Sequence, residues 1–560
     1  MAQTDKQAVR ILTDLLRQHE IRYVVVSPGS RNAPLLDTFY GPGFTALPVA
    51  DERSAAYYAL GIARQTGQIV ALSCTSGTAA VNYAPAVAEA FYQQIPLLVL
   101  TADRPAEWIG QREGQAVGQF PLYGKNCKAA FELPTEPAGP VSLRHTARLV
   151  NEAILEASTP PRGPVQINIP MREPLYGRTD EPLPVTPAKI KRTATQHLLP
   201  AAETRQMQNE WQDAKKVMVL AGHGNWGPAL KKELASWTAQ TQALLVAEPL
   251  SNFGDIAAAY SPDRILFNPE AAVNRHLQPD LLITLGGDYV SKKLRQFLRA
   301  FPPAQHWHVE PGNSITDTFQ RLTRHIPLSP VEFLQQFHPQ KKEIHYKQAW
   351  FALQERSDAL HDEFMAQAGF AELQAFALLQ QALPGGSTLH LANSLPVRYA
   401  QWFAPRQDIT LLANRGTSGI DGSLSTAAGF AWAGGGANTV LLGDLSFFYD
   451  SNALFNTAFP DNLKIVVLHN RGGNIFRFIP GPSQSTAREA HFEAAHNFSA
   501  AHIARAFGLD YFVARKQNEL LNGLDKSYNK NGPTLLEACI SPQANAMQLK
   551  SYFNFIKSKL

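Results

Sequence analysis

The sequence has few cysteines, no long apolar run and no run of like charge. Its three cysteines, Cys74, Cys127 and Cys539, are scattered and follow neither a disulfide framework nor a metal-binding spacing, which favours a reducing cytoplasm. We expect no membrane span, because no apolar stretch approaches the roughly 20 residues that a spanning helix requires. The formal net charge is +4 without a basic cluster, so composition gives no case for nucleic-acid binding.

The chain has 560 residues, enough for three domains of ordinary size. Residues 1–20 have the spaced apolar pattern of an amphipathic helix rather than of a signal peptide. Strand-like and helical segments then alternate, which indicates parallel α/β domains. Two proline-rich stretches, 174–200 and 326–347, are typical of domain boundaries. We therefore predict three doubly wound parallel-sheet domains, over residues 1–180, 195–335 and 350–560.

The most informative residues are Asp444 and Asn470. The string Gly-Asp-Leu-Ser at 443–446 and the string Asn-Arg-Gly-Gly-Asn at 470–474 each follow an apolar run typical of a buried parallel strand. We predict a helix over 450–459 between them. Ligands bind at the carboxyl ends of such strands, where carboxylate and amide oxygens suit Mg²⁺ and backbone N–H groups suit phosphate. The plainer interpretation is two ordinary turn residues.

This pair of strings resembles the diphosphate and metal motif of thiamine diphosphate (ThDP) enzymes. The resemblance implies ThDP and Mg²⁺ as cofactors, with Mn²⁺ as a possible substitute for Mg²⁺. It also implies three metal ligands: Asp444, Asn470 and the backbone carbonyl of Gly472. The motif usually has two asparagines at its second part, whereas the first of these positions is His469 here.

Glu52 opens an apolar helical segment after the strand-like residues 44–50. It resembles the glutamate that, in ThDP enzymes, contacts the pyrimidine ring of the cofactor and promotes proton loss from the thiazolium carbon. A carboxyl group suits this role best when a dry pocket raises its pKa. The plainer interpretation is an acid that stabilises a helix N-terminus.

Four further strings lie far apart in the chain. They are Ser-Pro-Gly-Ser-Arg-Asn-Ala-Pro-Leu at 27–35, Thr-Ser-Gly-Thr-Ala-Ala-Val-Asn at 75–82, Leu-Thr-Ala-Asp-Arg-Pro at 100–105 and Asn-Arg-Gly-Thr-Ser-Gly-Ile-Asp-Gly at 414–422. With the earlier motifs they resemble, over the whole chain, the 2-succinyl-5-enolpyruvyl-6-hydroxy-3-cyclohexene-1-carboxylate synthases of menaquinone biosynthesis. The resemblance implies a transferase that decarboxylates 2-oxoglutarate and adds the succinyl-semialdehyde equivalent to isochorismate by 1,4-addition. It also implies a homodimer or homotetramer with cofactor between subunits.

The resemblance assigns roles to individual residues. Glu52 and Gln115 would be catalytic. Cofactor binding would involve Glu52, Ser76, Ser418, Gly419, Ile420, Gly443, Leu445, Ser446 and Ile475. Substrate binding would involve Arg31, Arg104, Gln115, Lys292, Lys293, Ser394, Arg398, Arg415, Ile475 and Phe476. Arginine suits substrates that carry several carboxylates, since its planar fork pairs with a carboxylate through two bonds. The plainer interpretation is solvated surface cations, with Phe476 packed in the core.

The central segment contains a competing motif. Gly222, Gly224 and Gly227 follow an apolar run in a Gly-x-Gly-x-x-Gly pattern, and Glu248 follows a second run, as in a dinucleotide-binding fingerprint. An NAD- or FAD-binding protein is therefore the alternative, and among ThDP enzymes an acetohydroxyacid-synthase-like carboligase that acts on pyruvate with FAD. The glycines are also compatible with a tight strand–helix turn that binds no nucleotide.

Overall fold

A computed structural model describes residues 3–193, 195–224, 226–266, 268–479 and 481–560. In these residues three parallel sheets, flanked by helices, follow one another along the chain. This is the predicted α/β architecture. No helix of the described ranges combines the length and the apolar character that crossing a bilayer takes. Of the helix predicted over residues 1–20, Met1 and Ala2 lie outside the described residues, and the rest contains a helix from Gln7 to Gln18.

The N-terminal unit has six parallel strands. Its elements are β1 (Gln3–Thr4), α1 (Gln7–Gln18), β2 (Tyr23–Val26), α2 (Ala33–Phe39), β3 (Thr45–Pro48), α3 (Glu52–Thr66), β4 (Val70–Cys74), α4 (Thr78–Asn82), α5 (Ala84–Tyr92), β5 (Leu97–Asp103), β6 (Ala129–Glu132), α6 (Gly139–Ser158), β7 (Val165–Pro170) and β8 (Arg178–Thr179). The strand order is β3-β2-β4-β5-β7-β6, while β1 and β8 form a separate antiparallel pair. The carboxyl ends of β2, β3, β4 and β5 therefore lie side by side.

The central unit has five parallel strands. Its elements are α7 (Ala201–Asp213), β9 (Val217–Ala221), α8 (Pro228–Thr241), β10 (Leu244–Ala247), α9 (Pro262–Ile265), β11 (Leu281–Leu285), α10 (Lys292–Ala300), β12 (Gln305–Val309), β13 (Arg324–Ile326) and α11 (Pro330–Gln336). The strand order is β10-β9-β11-β12-β13. Strands β9, β10 and β11 consist of buried residues, as is usual for a sheet covered on both faces.

The C-terminal unit again has six parallel strands. Its elements are α12 (His345–Ala366), α13 (Glu372–Ala382), β14 (Thr388–Leu391), α14 (Leu395–Ala400), β15 (Thr410–Ala413), α15 (Ser423–Ala433), β16 (Asn438–Gly443), α16 (Asp444–Tyr449), β17 (Leu463–His469), α17 (Ala500–Ala506), β18 (Asp510–Ala514), α18 (Gln517–Tyr528), β19 (Thr534–Cys539) and α19 (Pro542–Lys559). The order is β15-β14-β16-β17-β19-β18. We propose domain limits of 1–180, 195–335 and 350–560, because each sheet has its strands inside one of these ranges.

The chain leaves β16 and β17 at the same sheet edge. These strands are parallel neighbours, and Gly443 pairs with Leu468. The helix predicted over 450–459 is wrong: α16 begins directly at Asp444, and beyond it a 3-10 helix covers only Ser451–Leu454. The reason is that Asp450 is buried and its carboxylate accepts hydrogen bonds from the backbone N–H and hydroxyl of Ser425 on α15, at 2.8 and 2.7 Å. Asp450 therefore ends α16, and only the short 3-10 helix follows it.

Two glycines let the N-terminal and C-terminal units pack closely. A Cβ on Gly61 of α3 would lie 2.1 Å from the carbonyl oxygen of Thr426, and one on Gly429 of α15 would lie 2.1 Å from that of Tyr58. Such distances are far inside van der Waals contact, and the opposing atoms are backbone that cannot move aside. The two helices can therefore approach this closely only with glycine at both positions.

We expect Gly429→Ala to destabilise the protein by about 1–3 kcal/mol, because overpacking of a tight contact forces backbone shifts. Thermal unfolding followed by circular dichroism would measure the effect as a lower midpoint. Gly435→Ala is the matched control, since a Cβ there would meet nothing within 4 Å. Equal midpoints for both variants would contradict the close helix contact.

Candidate active site

A pocket of about 320 Å³ lies at the carboxyl edge of the C-terminal sheet. Its walls come from the segments that follow β14, β15, β16 and β17, with further residues from α13 and from the 3-10 helix Asn474–Arg477. The predicted site residues that line it are Ser394, Arg398, Ser418, Ile420, Gly443, Asp444, Leu445, Ser446, Asn470, Gly472, Ile475 and Phe476. The strand topology thus gathers predicted residues that are up to 82 positions apart in the sequence, from Ser394 to Phe476, into one cavity.

Asp444 lies at the floor of this pocket and is 1% exposed. Its Oδ1 accepts a hydrogen bond from the backbone N–H of Leu445 at 2.7 Å. Its Oδ2 accepts from the backbone N–H groups of Asn470 and Gly472, at 3.1 and 3.0 Å. The carboxylate therefore ties the start of α16 to the turn after β17, and it holds the predicted metal ligands together.

Asn470 presents one unpaired polar atom. Its side-chain Nδ2 donates to Oε1 of Glu372 at 2.5 Å, whereas its Oδ1 is buried and has no hydrogen-bond partner among the described residues. A buried, unsatisfied amide oxygen beside a carboxylate is unfavourable unless a ligand occupies the space. Oxygens of this kind are the ligands that Mg²⁺ prefers, so the residues present fit a divalent cation.

His469, at the position where ThDP enzymes usually have the first asparagine, does not line the pocket. Its Nδ1 hydrogen-bonds Oε1 of Glu537 at 2.5 Å, and its Nε2 lies 3.9 Å from Oδ2 of Asp444. Although burial alone would raise the pKa of Glu537, the hydrogen bonds from His469 and Tyr511 lower it to about 2. His469 therefore packs behind Asp444 as part of a buried hydrogen-bond network.

The loop between β15 and α15 forms another wall of the pocket that contains the predicted metal ligands Asp444, Asn470 and Gly472. Ile420 is 37% exposed, and its carbonyl accepts the hydroxyl of Ser446 at 2.6 Å. The carboxylate of Glu89 on α5 accepts the backbone N–H groups of Gly416 and Thr417, both at 2.7 Å. Helix α5 of the N-terminal unit thus fixes the loop that carries Ile420. Gly419 belongs to this loop, and its carbonyl accepts from Asn393 at 2.7 Å.

Arg398 and Arg415 bring positive charge to the pocket. Arg398 lines it, and burial lowers the pKa of its guanidinium, with a further contribution from the charge of Arg415. Arg415 lies behind the wall: it donates to Asn393 Oδ1 at 2.8 Å and, through Nε and Nη2, to one oxygen of Asp288 at 3.1 and 2.8 Å. Arg295 lies 3.6 Å from the other oxygen of Asp288. Two guanidinium groups, those of Arg415 and Arg295, therefore meet at a single carboxylate of the central unit.

The two predicted lysines have different surroundings. Lys292 is exposed at the start of α10. The ammonium of Lys293 donates to the carbonyl of Asp263 at 2.9 Å and lies 4.9 Å from the ring centre of Phe553, and burial lowers its pKa. Neither lysine lines the pocket. The geometry favours Arg295, on the next turn of the same helix, because it is the residue of α10 that reaches Asp288, the partner of Arg415.

The other predicted residues occupy the carboxyl edge of the N-terminal sheet. Arg31 is buried and donates to the carbonyl of Met171 at 3.1 Å and to Glu173 at 2.9 Å. Arg104 pairs with Glu113 at 3.3 Å and lies 4.0 Å from the same Glu173. The two arginines therefore meet around one exposed carboxylate. They form a second cationic group, separate from the pocket of the C-terminal unit.

Glu52 is the first residue of α3, at this same edge. Burial raises the pKa of its carboxyl group and the neighbouring Asp51 adds to the rise, while a backbone hydrogen bond opposes them. Asp51 itself caps the helix by accepting from the backbone N–H of Ser54 at 2.9 Å. Since Asp51 provides the cap, the carboxyl group of Glu52 is not needed for that purpose.

Ser76 and Gln115 lie beside each other at the rim of this edge. Ser76 is buried in the turn after β4, and a Cβ on the adjacent Gly77 would lie 3.3 Å from the backbone of Gln115. Gln115 is exposed and has a φ of 54°. Two pocket residues, Ser394 and Ser418, also have positive φ values, of 76° and 60°. Such backbone strain in non-glycine residues is concentrated at functional sites.

Comparison with known proteins places these two edges in a family. Models of thiamine pyrophosphate enzymes match residues 6–122 (N-terminal TPP binding domain), 189–391 (middle domain) and 394–538 (C-terminal TPP binding domain). The chain is 38% identical to the 2-succinyl-5-enolpyruvyl-6-hydroxy-3-cyclohexene-1-carboxylate synthase of Porphyromonas gingivalis, over 99% of this chain and 98% of the relative. Synthases of the same name from Cytophaga hutchinsonii and Desulfotalea psychrophila are 36% and 37% identical over 99% and 96% of this chain, and 99% of each relative.

The chain belongs to the 2-succinyl-5-enolpyruvyl-6-hydroxy-3-cyclohexene-1-carboxylate synthase family. It is therefore a ThDP-dependent enzyme of the transferase class, as the sequence motifs predict. The fold of three ThDP-enzyme domains is confirmed as well. The residues that bind substrate, cofactor and metal in this member of the synthase family stay predictions.

The dinucleotide-like motif of the central unit has internal partners in this synthase-family chain. Both oxygens of Glu248 accept backbone N–H groups, from Val290 and Ser291, each at 2.6 Å. A Cβ on Gly224 would collide with the ring of Trp226 at 2.5 Å. The carboxylate that would bind a ribose is thus occupied, and the glycine is required by packing. Asn225, inside the motif, lies outside the described residues.

Three residues in or near the pocket are not predicted from the sequence. They are Glu372, Asp288 and Arg295. Burial raises the pKa of Glu372 to about 7, and although hydrogen bonds from Asn470 and Tyr399 oppose this, the charge of Asp444 adds to it. In the sequence Glu372 is an acid at a helix start, Asp288 follows two turn glycines and Arg295 is one of several cations on α10. A signal exists only for Arg295, since it lies close to the predicted Lys292 and Lys293.

Proposed function

We propose that the chain catalyses the ThDP- and Mg²⁺-dependent decarboxylation of 2-oxoglutarate and the 1,4-addition of the succinyl-semialdehyde equivalent to isochorismate. The product would be the compound after which the family is named, formed on the way to menaquinone. One observation carries this proposal: a pocket that combines an unpaired amide oxygen beside a carboxylate with the half-buried guanidinium of Arg398. The amide oxygen and the carboxylate suit a metal-bound diphosphate, and the guanidinium suits a carboxylate of a substrate.

On this proposal Asp444, Asn470 and the carbonyl of Gly472 would hold Mg²⁺, with Mn²⁺ as a possible substitute. The turn at 443–446 would offer backbone N–H groups and the hydroxyl of Ser446 to the diphosphate. Ile420, Leu445 and Ile475 supply apolar wall for the rings of the cofactor. When bound, thiamine diphosphate supplies the carbon nucleophile and the electron sink that decarboxylation and addition require.

The arginines would bind and orient the substrates, which carry several carboxylates between them. Arg398 lines the pocket, while Arg415 and Arg295 lie next to it and share Asp288. Arg31 and Arg104 form the second cationic group. Because a guanidinium can pair with a carboxylate through two bonds, each group can fix one anionic substrate in a single orientation.

We propose that a homodimer, or a tetramer built from such dimers, assembles the complete site. The described residues that line the pocket all lie between 372 and 479, whereas Glu52, Arg31, Arg104 and Gln115 lie at the edge of the other sheet. A partner subunit that places its N-terminal edge over the pocket would supply these groups. The free cysteines among the described residues agree with a cytoplasmic location, which we also propose.

The competing proposal is an acetohydroxyacid-synthase-like carboligase that acts on pyruvate with FAD. A monocarboxylate needs fewer cations than the two arginine groups provide. The buried, fully hydrogen-bonded Glu248 also leaves no free carboxylate for a ribose at the glycine turn. The first observation favours the dicarboxylic oxo acid, and the second argues against a dinucleotide cofactor.

The experiment that tests the proposal offers the enzyme two oxo acids. Protein, ThDP, Mg²⁺ and isochorismate are incubated with 2-oxoglutarate or with pyruvate, and products are identified by mass spectrometry. We expect the family product with 2-oxoglutarate and none with pyruvate. Turnover of pyruvate alone would overturn the proposal in favour of the carboligase.

A further inference from the structure

Glu372 is a buried carboxylate that contacts a predicted metal ligand. It is the first residue of α13, is 1% exposed and contributes to the pocket wall. Its Oε1 accepts from Nδ2 of Asn470 at 2.5 Å, and its Oε2 accepts from the hydroxyl of Tyr399 on α14 at 2.7 Å. Both carboxylate oxygens therefore have one side-chain donor each, from two different elements.

This contact determines which way the amide of Asn470 faces. While it is ionised, the carboxylate of Glu372 only accepts hydrogen bonds, so it selects the NH₂ end of the amide and excludes the oxygen end. The oxygen end is consequently directed away from Glu372, and it is the buried Oδ1 that lacks a partner among the described residues. Without Glu372 either end could face the pocket, and an NH₂ group there would repel a cation.

We propose that Glu372 is a positioning residue of the metal site, which holds the side-chain amide of Asn470 with its oxygen towards the cation beside Asp444. The inference rests on the proposed function, because it presupposes that Asn470 is a metal ligand. Glu372 acts through Asn470 and need not touch the metal. Groups of this kind behind a ligand commonly change metal affinity by about 10–100-fold when they are replaced.

The test compares two conservative variants of Glu372 by calorimetric titration of ThDP at a series of Mg²⁺ concentrations. Glu372→Asp keeps the charge but withdraws the oxygen from Asn470, so we expect the Mg²⁺ requirement to rise about tenfold or more. Glu372→Gln keeps an acceptor oxygen at the original reach but also offers an NH₂ group, so it orients Asn470 less strictly and we expect a smaller rise, of about threefold. Thermal unfolding of each variant would show whether the fold is intact.

Tyr399→Phe is the matched control, since it removes the other hydrogen bond of Glu372 and leaves the one to Asn470. We expect its Mg²⁺ requirement to stay near that of the wild type. Two results would overturn the inference: a rise in Tyr399→Phe equal to that in Glu372→Asp, which would indicate a general packing effect, or a larger rise in Glu372→Gln than in Glu372→Asp, which would indicate charge alone. If the wild type binds ThDP equally well without Mg²⁺, the metal requirement in the proposed function is wrong, whatever the variants show.

Discussion

Asp444→Ala is expected to abolish Mg²⁺-dependent ThDP binding. The substitution removes a carboxylate that would ligate the metal, and it also leaves the backbone N–H groups of Asn470 and Gly472 without their acceptor. Loss of one partner of a buried charge pair costs about 2–5 kcal/mol, so the affinity for ThDP should fall on the order of a hundredfold or more. Titration calorimetry with and without Mg²⁺ measures the loss.

Asp421→Ala is the control for this experiment. Asp421 lies on the loop next to the pocket and accepts the hydroxyl of Tyr57 at 2.7 Å, but it does not line the cavity. We expect it to retain Mg²⁺-dependent binding. Unchanged ThDP affinity in Asp444→Ala would mean that Asp444 is only a turn residue, and the proposed metal site would be wrong.

The second large effect is expected at Glu52. Its carboxyl group, with a pKa raised by burial, would give its proton to a ring nitrogen of the bound pyrimidine and so promote proton loss from the thiazolium carbon. An amide cannot supply this proton. Glu52→Gln should therefore retain most of the ThDP affinity and lose about 10²–10⁴-fold in the rate of proton–deuterium exchange at that carbon, the usual range for acid–base catalysis.

Glu203→Gln separates this role from an effect on helix stability. Glu203 is an acid in the first turn of α7, in the central unit, and also pairs with Arg324, so its loss tests the general effect of removing an acid from a helix start. We expect wild-type exchange rates in this variant. Wild-type rates in Glu52→Gln as well would remove Glu52 from the mechanism.

Local patterns in the sequence predict the strands and the turns well. The apolar runs before Asp444 and Asn470 correspond to β16 and β17, because a strand buried on both faces leaves a continuous apolar signature. The helix over 450–459 failed because Asp450 is held by Ser425, on an element 25 positions earlier in the sequence. A contact of this kind is set by tertiary packing, which no local pattern records.

The candidate site shows the same division. Asp444 and Asn470 are visible in the sequence because their spacing follows from the strand–helix–strand unit. Glu372 is 98 positions from Asn470, and Asp288 is 127 positions from Arg415, so their partnership arises only when separate elements fold together. Burial strengthens the effect of these pairs on the site, and the sequence alone does not show which side chains are buried.

We propose that residues from the N-terminal edge of one chain and the C-terminal edge of another form each active site. Two inactive variants, Glu52→Gln and Asp444→Ala, test it when they are co-expressed with different affinity tags and the mixed dimer is isolated. In that dimer one site would contain both substitutions and the other neither, so we predict about half of the wild-type activity per dimer, given two equivalent sites. Each homodimer should be inactive. An inactive mixed dimer that still forms would contradict the claim, because it would place Glu52 and Asp444 of each site on the same chain.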